Sequence, residues 1–197
     1  MSHAEILDFL LRALTLTLLT VRSAYWFVTE RRSNRTKPLL KEPKLPQRLR
    51  RAVSWIIEVV VYAQLLGFAI LPFTQTPAVQ SFGFLVVALG FAVSMSARVT
   101  IGANWAHGAE YQIKKDHELV TAGIYRYIRH PIYAGLFASL IGAEIVAGSI
   151  VAGVFLVGLS FIALVQAKKE EAILIQKFGA QYREYMARTK RFIPYVW

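Results

Sequence analysis

The stretch RYIRHPIYAG, residues 126–135, places two arginines, a histidine and two tyrosines around a proline, immediately before a long apolar run. Arginine side chains bind carboxylates and phosphates, and tyrosine rings offer faces to a base or a cation. Pro131 suits the first turn of a helix, where free backbone N–H groups and the positive dipole end attract anions. These residue types are compatible with binding of a charged, nucleotide-like molecule at the start of a helix.

Other polar residues that could do chemistry lie at those ends of the apolar runs that are predicted to face the same side of a membrane. The group consists of Asn104, His107, Glu110, His117, Tyr125, Arg126, Arg129, His130, Tyr133, Glu170 and Glu171. This one-sided gathering predicts a polar pocket at a membrane surface. The alternative is a set of ordinary interface residues. In that case His130 only forms a hydrogen bond at the start of a helix, and Glu171 only pairs with a nearby lysine.

Several chemistries are excluded by what the sequence lacks. The chain has no cysteine, so disulfides, thiolate nucleophiles and cysteine-based metal sites are absent. No histidine or carboxylate pair has a convincing metal-ligand spacing, and we expect no metal site. No glycine-rich loop follows a strand, so Rossmann and Walker-type nucleotide sites are not expected.

The elements that must position these residues are apolar helices. The chain has 197 residues, of which 55% are hydrophobic. Residues 6–28, 52–71 and 78–97 each reach the ~20 apolar residues that cross a ~30 Å hydrocarbon core. Residues 132–167 are too long for one pass and break at Gly148-Ser149, which predicts a helical hairpin. We therefore expect an all-α integral membrane protein with about five transmembrane helices.

The distribution of positive charge predicts the orientation of these spans. Lys and Arg number 23 and give a formal net charge of +11, and all but Arg12 and Arg22 fall within residues 31–51, 98–129 and 168–191. The positive-inside rule places these segments in the cytoplasm and the N-terminus outside, which matches five spans. The basic residues then set topology and contact anionic headgroups of membrane lipids, and nucleic-acid binding is not expected.

Two regions are predicted to divide the chain. Residues 1–101 hold the first three spans, with an extended cytoplasmic linker at 30–51, and residues 102–197 hold the polar region, the hairpin and a tail. Charges within spans usually face the bundle interior, so Glu58 is expected either to pair with Arg22 or to lie exposed near the interface. After Gly102 the sequence predicts a helix that emerges from the membrane.

The tail is predicted to cover the polar pocket. Within residues 166–189, apolar and aromatic residues recur at three- and four-residue spacing with charges between them, which indicates an amphipathic helix. Gly179 is expected to interrupt this helix. We predict that it lies on the cytoplasmic face and closes over the span ends.

Two quoted stretches resemble a known family. GANWAHGAEYQIKKDHELVTAGIYRYIRHPIYAG and the later KKEEAILIQKFGAQYREYMARTKRFIP are similar, in order and spacing, to the isoprenylcysteine carboxyl methyltransferase family and related phospholipid methyltransferases. The resemblance covers residues 102–194 and implies a membrane methyltransferase that uses S-adenosylmethionine. In that family the cofactor lies on the cytosolic side, enclosed by the last helices and the C-terminal tail.

The resemblance also implies site residues. The positions that match the family's cofactor-binding residues are His117, Glu118, Leu119, Val120, Tyr125, His130, Pro131, Ile132, Tyr133 and Glu170, to which Glu110 is added in place of a family glutamine. Candidates for aligning donor and acceptor are Arg129, Gln166 and Glu171. Methyl transfer to an anionic acceptor is an in-line displacement that needs no strong base, so a nucleophile–base pair is not expected.

The sequence departs from the family at the acceptor side. Gln166 stands where eukaryotic members have an arginine, four positions before the matching glutamate. The leading expectation is carboxyl O-methylation of a lipophilic, isoprenylcysteine-like substrate. The alternatives are N-methylation of an amine headgroup, an NADPH-dependent sterol-type reductase with a similar C-terminal region, and a non-enzymatic transporter or scaffold.

Overall fold

The computed structural model describes residues 1–33, 47–68, 70–105, 118–149 and 151–194. The α-helices of this part of the chain are α1 (His3–Ser33), α2 (Gln47–Leu65), α3 (Pro77–Ile101), α4 (Pro131–Ala147), α5 (Val151–Phe178) and α6 (Ala180–Arg188). Two short 3-10 helices, Gly102–Asn104 and Gly123–Arg126, flank the segment before α4. The described residues contain isolated β-bridges only, so the prediction of an all-α protein is confirmed.

The helices present a largely apolar outer surface. Its large exposed side chains include Phe9, Leu14, Phe27, Trp55, Phe82, Leu89, Phe161 and Ile162. Apolar patches of this extent are unusual on the surface of a water-soluble monomer and suit contact with lipid. Among the described residues, α3 is the helix that is long and apolar enough to cross a membrane, while Trp55–Leu65 and α4 are apolar but shorter. The count of five spans stays a prediction.

The second helix differs from its predicted bounds. It begins at Gln47 and ends at Leu65, whereas the apolar run predicted a span over 52–71. The chain turns at Gly67, whose φ of 102° favours glycine, and this turn ends the helix although apolar residues continue. Helices also occupy both ends of the predicted extended linker 30–51, so that prediction was wrong there; residues 34–46 lie outside the described part.

The chain after α3 does not continue as the predicted emerging α-helix. Gly102 adopts φ 52° and ψ −126°, a conformation that ends the helix, and a 3-10 turn leads to an extended Trp105. The buried Arg98 donates to the Gly102 carbonyl at 3.0 Å and lies 4.4 Å from the centre of the Trp105 ring. These contacts fix the chain where it leaves α3; residues 106–117 lie outside the described part.

The predicted hairpin is present but its second helix is longer than expected. The first helix begins at Pro131 and ends at Ala147, and the following Gly148 takes the left-handed conformation with φ 68° and terminates the helix as predicted. The second helix, α5, does not end at residue 167 but continues to Phe178. Gly179, with φ 56°, then separates it from α6, which confirms the predicted interruption. The first half of the expected tail helix is therefore part of α5.

Close packing of α3 against α4 fixes the start of α4. A Cβ atom added to Gly90 would lie 2.6 Å from both the Gly135 carbonyl oxygen and the Ser139 amide nitrogen. A Cβ atom on Gly142 would lie 2.6 Å from the Gly83 carbonyl oxygen. Small residues that let two backbones touch are the usual basis of tight helix pairs in membranes. The N-terminal end of α4 is thus held on a rigid pair of helices.

Several polar side chains within the helical bundle bind one another or backbone carbonyls. The Arg12 guanidinium lies between helices, pairs with Asp8 at 2.8 Å, and donates to the carbonyls of Gln64 and Ala147 at 3.1 and 3.2 Å. Two of these acceptors lie near the C-terminal ends of α2 and α4, whose last carbonyls have no helical partner. Arg12 therefore joins three helices.

Arg22 on α1 and Glu58 on α2 are the two charged residues for which the sequence left two arrangements open. Glu58 on α2 accepts a hydrogen bond from Ser23 on α1, the residue that follows Arg22. Arg22 and Glu58 are both half-buried. Glu58 is therefore directed at α1, which contradicts the exposed arrangement. Its pairing with Arg22 stays a prediction.

Candidate functional site

The C-terminal segment, residues 189–194, lies along the chain that precedes α4. The amides of Arg129 and His130 donate to the carbonyls of Lys190 and Arg191 at 2.8 and 2.9 Å, and the Lys190 amide donates to the Tyr127 carbonyl at 3.2 Å. These bonds form a short parallel bridge. They place the C-terminal segment against the N-terminal end of α4.

Glu170 on α5 faces the first turn of α4. Its Oε1 accepts hydrogen bonds from the Tyr133 hydroxyl at 2.7 Å and from Gln166 Nε2 at 3.3 Å, and its Oε2 lies 3.6 Å from His130 Nδ1. The side chain keeps 24% of its exposure. Glu170 is therefore a positioned carboxylate that can still be reached by a ligand.

Three rings form a wall beside Glu170. The His130 ring stacks on Tyr133 with centres 5.7 Å apart, and Phe192 of the C-terminal segment lies 5.8 Å from His130 and 6.5 Å from Tyr133. Aromatic faces of this kind suit stacking with a base or contact with a cation. Phe192 was not singled out in the sequence, although it belongs to the RFIP sequence of the quoted C-terminal stretch.

The neighbouring Glu171 is buried and held by two arginines and His130. Arg129 Nε donates to it at 2.8 Å, Arg191 contacts both of its oxygens at 3.1 and 2.7 Å, and His130 Nε2 lies 3.3 Å away. Arg129 Nη1 also donates to the carbonyls of Met186, at 3.2 Å, and Thr189. This network, called here the Glu171 cluster, ties the C-terminal segment to α4 and α5.

The two adjacent carboxylates have opposite electrostatic environments. Burial raises the pKa of Glu170 above its ordinary value; His130 and the Tyr133 hydrogen bond oppose this effect, and Glu171 adds to it. Burial also disfavours the ionised form of Glu171, but hydrogen bonds from His130, Arg191 and Arg129 outweigh it and hold the pKa of Glu171 far below its ordinary value. Glu171 is thus a fixed anion, whereas Glu170 lacks an arginine partner among the described residues.

Tyr125 belongs to the second 3-10 helix. Its ring is buried, and its backbone carbonyl accepts a hydrogen bond from the Tyr185 hydroxyl at 2.7 Å. Burial raises the pKa of the Tyr125 phenol well above its ordinary value, and the nearby Tyr185 and Glu170 add to the effect. Tyr125 is therefore a neutral phenol close to Glu170, held in place by α6.

The remaining predicted residues are less closely connected to the site. Pro131 and Ile132 form the first turn of α4, and the exposed Glu118 donates its amide to Asn104 at 2.9 Å. Leu119 and Val120 are half-buried in a non-helical stretch. Among the described residues, no hydrogen bond joins 118–120 to Glu170.

Three of the polar residues singled out in the sequence, His107, Glu110 and His117, lie outside the described residues. The other polar residues singled out in the sequence can be placed in the structure. His130, Tyr133, Gln166 and Glu170 meet in one place, with Arg129 and Glu171 directly beside them. Tyr125 is near enough for the charge of Glu170 to raise its pKa, and its hydrogen bond is with Tyr185. Among the described residues there is no group of three or more histidine or acidic side chains placed to hold a metal ion.

Comparison with known proteins supplies the family. The sequence profile described as phospholipid methyltransferase matches residues 79–181, which are 103 of the 197 residues. The chain belongs to the phospholipid methyltransferase family. The matched region begins in α3 and ends in α6, so it contains the Glu170–Glu171 pair and the RHP sequence before α4.

Curated relatives of the chain have a more specific name than the family. The chain is 34% identical over 115 residues to a protein-S-isoprenylcysteine O-methyltransferase of Schizosaccharomyces pombe, which covers 58% of this chain and 48% of the relative. It is 29% identical over 152 residues to protein-S-isoprenylcysteine O-methyltransferase B of Arabidopsis thaliana, which covers 74% of each chain. The chain thus spans about half the length of the fission-yeast relative.

The fold of this phospholipid methyltransferase family member matches a solved structure. That structure is the eukaryotic intramembrane Ras methyltransferase ICMT, an isoprenylcysteine carboxyl methyltransferase, with a TM-score of 0.64 and 22% identity over 96% of this chain and 68% of that one. At this identity the match shows the fold. Arg191 and Phe192 lie beyond the family profile, so the C-terminal side of the site comes from outside the matched stretch.

Proposed function

We propose that the protein transfers a methyl group from S-adenosylmethionine to a lipophilic acceptor at the membrane surface, with the carboxyl group of an isoprenylcysteine-like molecule as the leading acceptor. The observation that carries the proposal is Glu170, a reachable carboxylate held by Tyr133 and Gln166 beside the ring of His130. It occurs in a member of the phospholipid methyltransferase family with relatives named protein-S-isoprenylcysteine O-methyltransferase.

The chemistry of the site suits this cofactor. A carboxylate without an arginine partner accepts hydrogen bonds from ribose hydroxyls or an ammonium group, and the rings of His130, Tyr133 and Phe192 offer faces to a base or to a cationic sulfur. When bound, S-adenosylmethionine supplies an electrophilic methyl group. The other residues proposed to hold it are Glu110, His117, Glu118, Leu119, Val120, Tyr125, Pro131 and Ile132.

The residues of this chain contribute mainly by position. An acceptor that is already an anion needs no proton removed, so alignment and exclusion of water supply the acceleration. Gln166 donates to Glu170, and we assign it the orientation of that carboxylate. Arg129 and Glu171 bind each other and the C-terminal segment, so we assign them the closing of the site and not contact with the acceptor.

The whole protein is proposed to span the membrane five times, with the N-terminus outside and the site on the cytoplasmic side. Its outer apolar surface and its fold shared with an intramembrane methyltransferase support an integral membrane location. The Lys and Arg distribution supports the orientation. The acceptor would then reach the site from the lipid.

A second candidate reaction is N-methylation of an amine headgroup. It is favoured by Gln166, an uncharged residue that bonds Glu170 where an arginine would attract an acceptor carboxylate. The family name, phospholipid methyltransferase, covers this chemistry as well. An amine acceptor must lose a proton, so this reaction predicts a rate that rises with pH.

One labelling experiment separates these reactions. Membranes that contain the protein are given S-adenosylmethionine with a labelled methyl group, and the lipid extract is treated with base. We expect volatile label released by base, which indicates a methyl ester; label retained on a headgroup amine would instead establish phospholipid methylation. A protein that binds NADPH, or neither cofactor, in calorimetry would overturn the methyltransferase proposal in favour of a reductase or a scaffold.

A further inference from the structure

A cationic cavity lies on the outer side of the C-terminal segment. It has a volume of about 80 Å³ and is lined by Arg126, Tyr127, Arg188, Lys190 and Pro194. The lining residues include three cations and no carboxylate.

The three cations are not neutralised by the described part of the chain. Arg126, Arg188 and Lys190 are exposed, and none of them makes an ion pair or a side-chain hydrogen bond with a described residue. Elsewhere in the same region the arginines Arg129 and Arg191 are paired with Glu171. Three like charges around one cavity repel one another, and an anion that enters the cavity relieves this repulsion.

The cavity is separate from the proposed methyl-transfer site. Successive side chains of an extended segment point to opposite faces. Arg191 points to Glu171, so Lys190, the residue before it, points away from the Glu171 cluster. On the neighbouring segment of the bridge, Tyr127 lines the cavity and the adjacent Ile128 is buried. In the described part of the chain, none of the residues that line the cavity binds Glu170 or Glu171.

The surroundings of the cavity have the composition of a membrane interface. Tyr127 is 48% exposed, and Ile193 on the C-terminal segment is 52% exposed. Exposed aromatic and aliphatic side chains next to arginine and lysine are typical of the headgroup level of a membrane protein. An anion supplied by a lipid headgroup would lie at this level, with its acyl chains beside the apolar residues.

We propose that Arg126, Arg188 and Lys190 bind the phosphate of an anionic membrane phospholipid. Arg126 belongs to the second 3-10 helix, Arg188 ends α6, and Lys190 belongs to the C-terminal segment. Guanidinium groups bind phosphate oxygens through paired N–H donors, and lysine adds a mobile charge. One phosphate thus connects three elements. The bound lipid stabilises the pairing of the C-terminal segment with residues 127–130.

Lipid binding is measured on the purified full-length protein by native mass spectrometry. The probes are dioctanoyl phosphatidic acid, dioctanoyl phosphatidylcholine and inorganic phosphate. Removal of two charge-assisted contacts in the double variant Arg188→Gln/Lys190→Gln is expected to weaken phosphatidic acid binding about tenfold or more. The control Arg183→Gln/Lys168→Gln removes the same charge from exposed positions on α6 and α5 and is expected to bind as the wild type does.

Three results would overturn the proposal. Equal losses in both double variants would mean that net charge alone attracts the lipid. Equal binding of phosphatidylcholine would mean that the contact is not specific for an anionic lipid. Displacement of phosphatidic acid by inorganic phosphate at the same concentration would assign the cavity to a free anion.

A second measurement tests the effect on the C-terminal segment without any methyl transfer. Phosphatidic acid is expected to slow hydrogen exchange at the amides of Arg129, His130 and Lys190, which donate across the bridge. The Arg188→Gln/Lys190→Gln variant should lose this protection while the charge-matched control keeps it. Unchanged exchange in the wild type would show that the lipid does not stabilise this pairing, and it would do so whatever the fate of the proposed methyltransferase activity.

Discussion

Glu170 and Glu171 are consecutive residues with different tasks because a helix turns about 100° per residue. Glu170 points to the rings of Tyr133 and His130, and Glu171 points to Arg129 and Arg191. The sequence motif identified both carboxylates, but a pair of adjacent letters does not indicate which one is already neutralised. The positions of the two arginines decide this. We therefore propose Glu170 as the carboxylate that binds a cationic ligand.

The first prediction concerns the charge of Glu170. Glu170→Gln keeps the shape of the side chain and removes the charge, so binding of S-adenosylhomocysteine, which keeps the ammonium and the ribose, should weaken roughly ten- to a hundredfold, as loss of a charged hydrogen bond implies. Isothermal titration calorimetry measures this. Glu184→Gln, an exposed change on α6, is the matched control and should bind normally. Equal affinity of the two variants would contradict a role for Glu170.

The second prediction follows from the raised pKa of Glu170. A cationic ligand favours the ionised carboxylate, so binding lowers this pKa and releases a proton wherever the free site is partly protonated. Proton release should therefore grow as pH is lowered toward the raised pKa, and affinity should fall with it. Calorimetry in two buffers of different ionisation heat counts the released protons. Glu170→Gln should abolish the dependence, and its persistence there would assign the proton to another group.

The third prediction concerns Glu171 as a structural anion. Glu171→Gln leaves Arg129 and Arg191 without their buried partner, and loss of one side of such a pair costs about 3 kcal/mol of unfolding free energy. The folded-state pKa is below the unfolded one, so this stabilisation is complete above about pH 5 and is lost as pH falls toward the folded value. Thermal unfolding in detergent should show a large difference between wild type and variant at pH 7. The difference in stability between wild type and variant should become smaller below pH 5. A difference that does not depend on pH would contradict the ionic role of Glu171.

At the scale of elements, sequence predicted the boundaries that local residues determine. Pro131 starts α4, and Gly148 and Gly179 end helices, because proline fixes φ and glycine adopts positive φ cheaply. The ends of α2 and the continuation of α5 were missed, since apolar composition does not show where a helix stops. Phe192 and Arg191 were missed for a different reason: they reach the site through backbone bonds between distant segments.

The fourth prediction concerns the packing of α3 on α4. Gly90→Ala places a methyl group 2.6 Å from backbone atoms of α4, which cannot move without displacing the whole helix, and overpacking of this kind costs about 1–3 kcal/mol. Gly158→Ala on α5 is the control, because its added Cβ meets no atom within 4 Å. Thermal unfolding in detergent should show a lower melting temperature for Gly90→Ala alone. Equal melting temperatures would mean that the two helices separate easily.

At the scale of the whole molecule, polar groups gather at the two ends of α4. Arg12 binds the carbonyl of Ala147 at the C-terminal end, and His130 and the Glu171 cluster lie at the N-terminal end. The 17 residues of α4 separate these ends by about 25 Å, close to the thickness of a hydrocarbon core. The same helix that carries the site thus connects two polar layers. This arrangement supports a site on one side of the membrane, as the charge distribution predicts.

The fifth prediction tests that orientation with single cysteines, which is direct because the chain has none of its own. Ser2→Cys and Thr74→Cys, at exposed positions before α1 and between α2 and α3, should react with a membrane-impermeant maleimide in intact cells. Gln181→Cys on α6 should react only after the cells are permeabilised, since an odd number of spans puts the termini on opposite sides. The cysteine-free parent is the control for background labelling. Labelling of Ser2→Cys and Gln181→Cys from the same side would require an even number of spans. Either the site would then lie outside the cytoplasm, or the N-terminus would lie inside it.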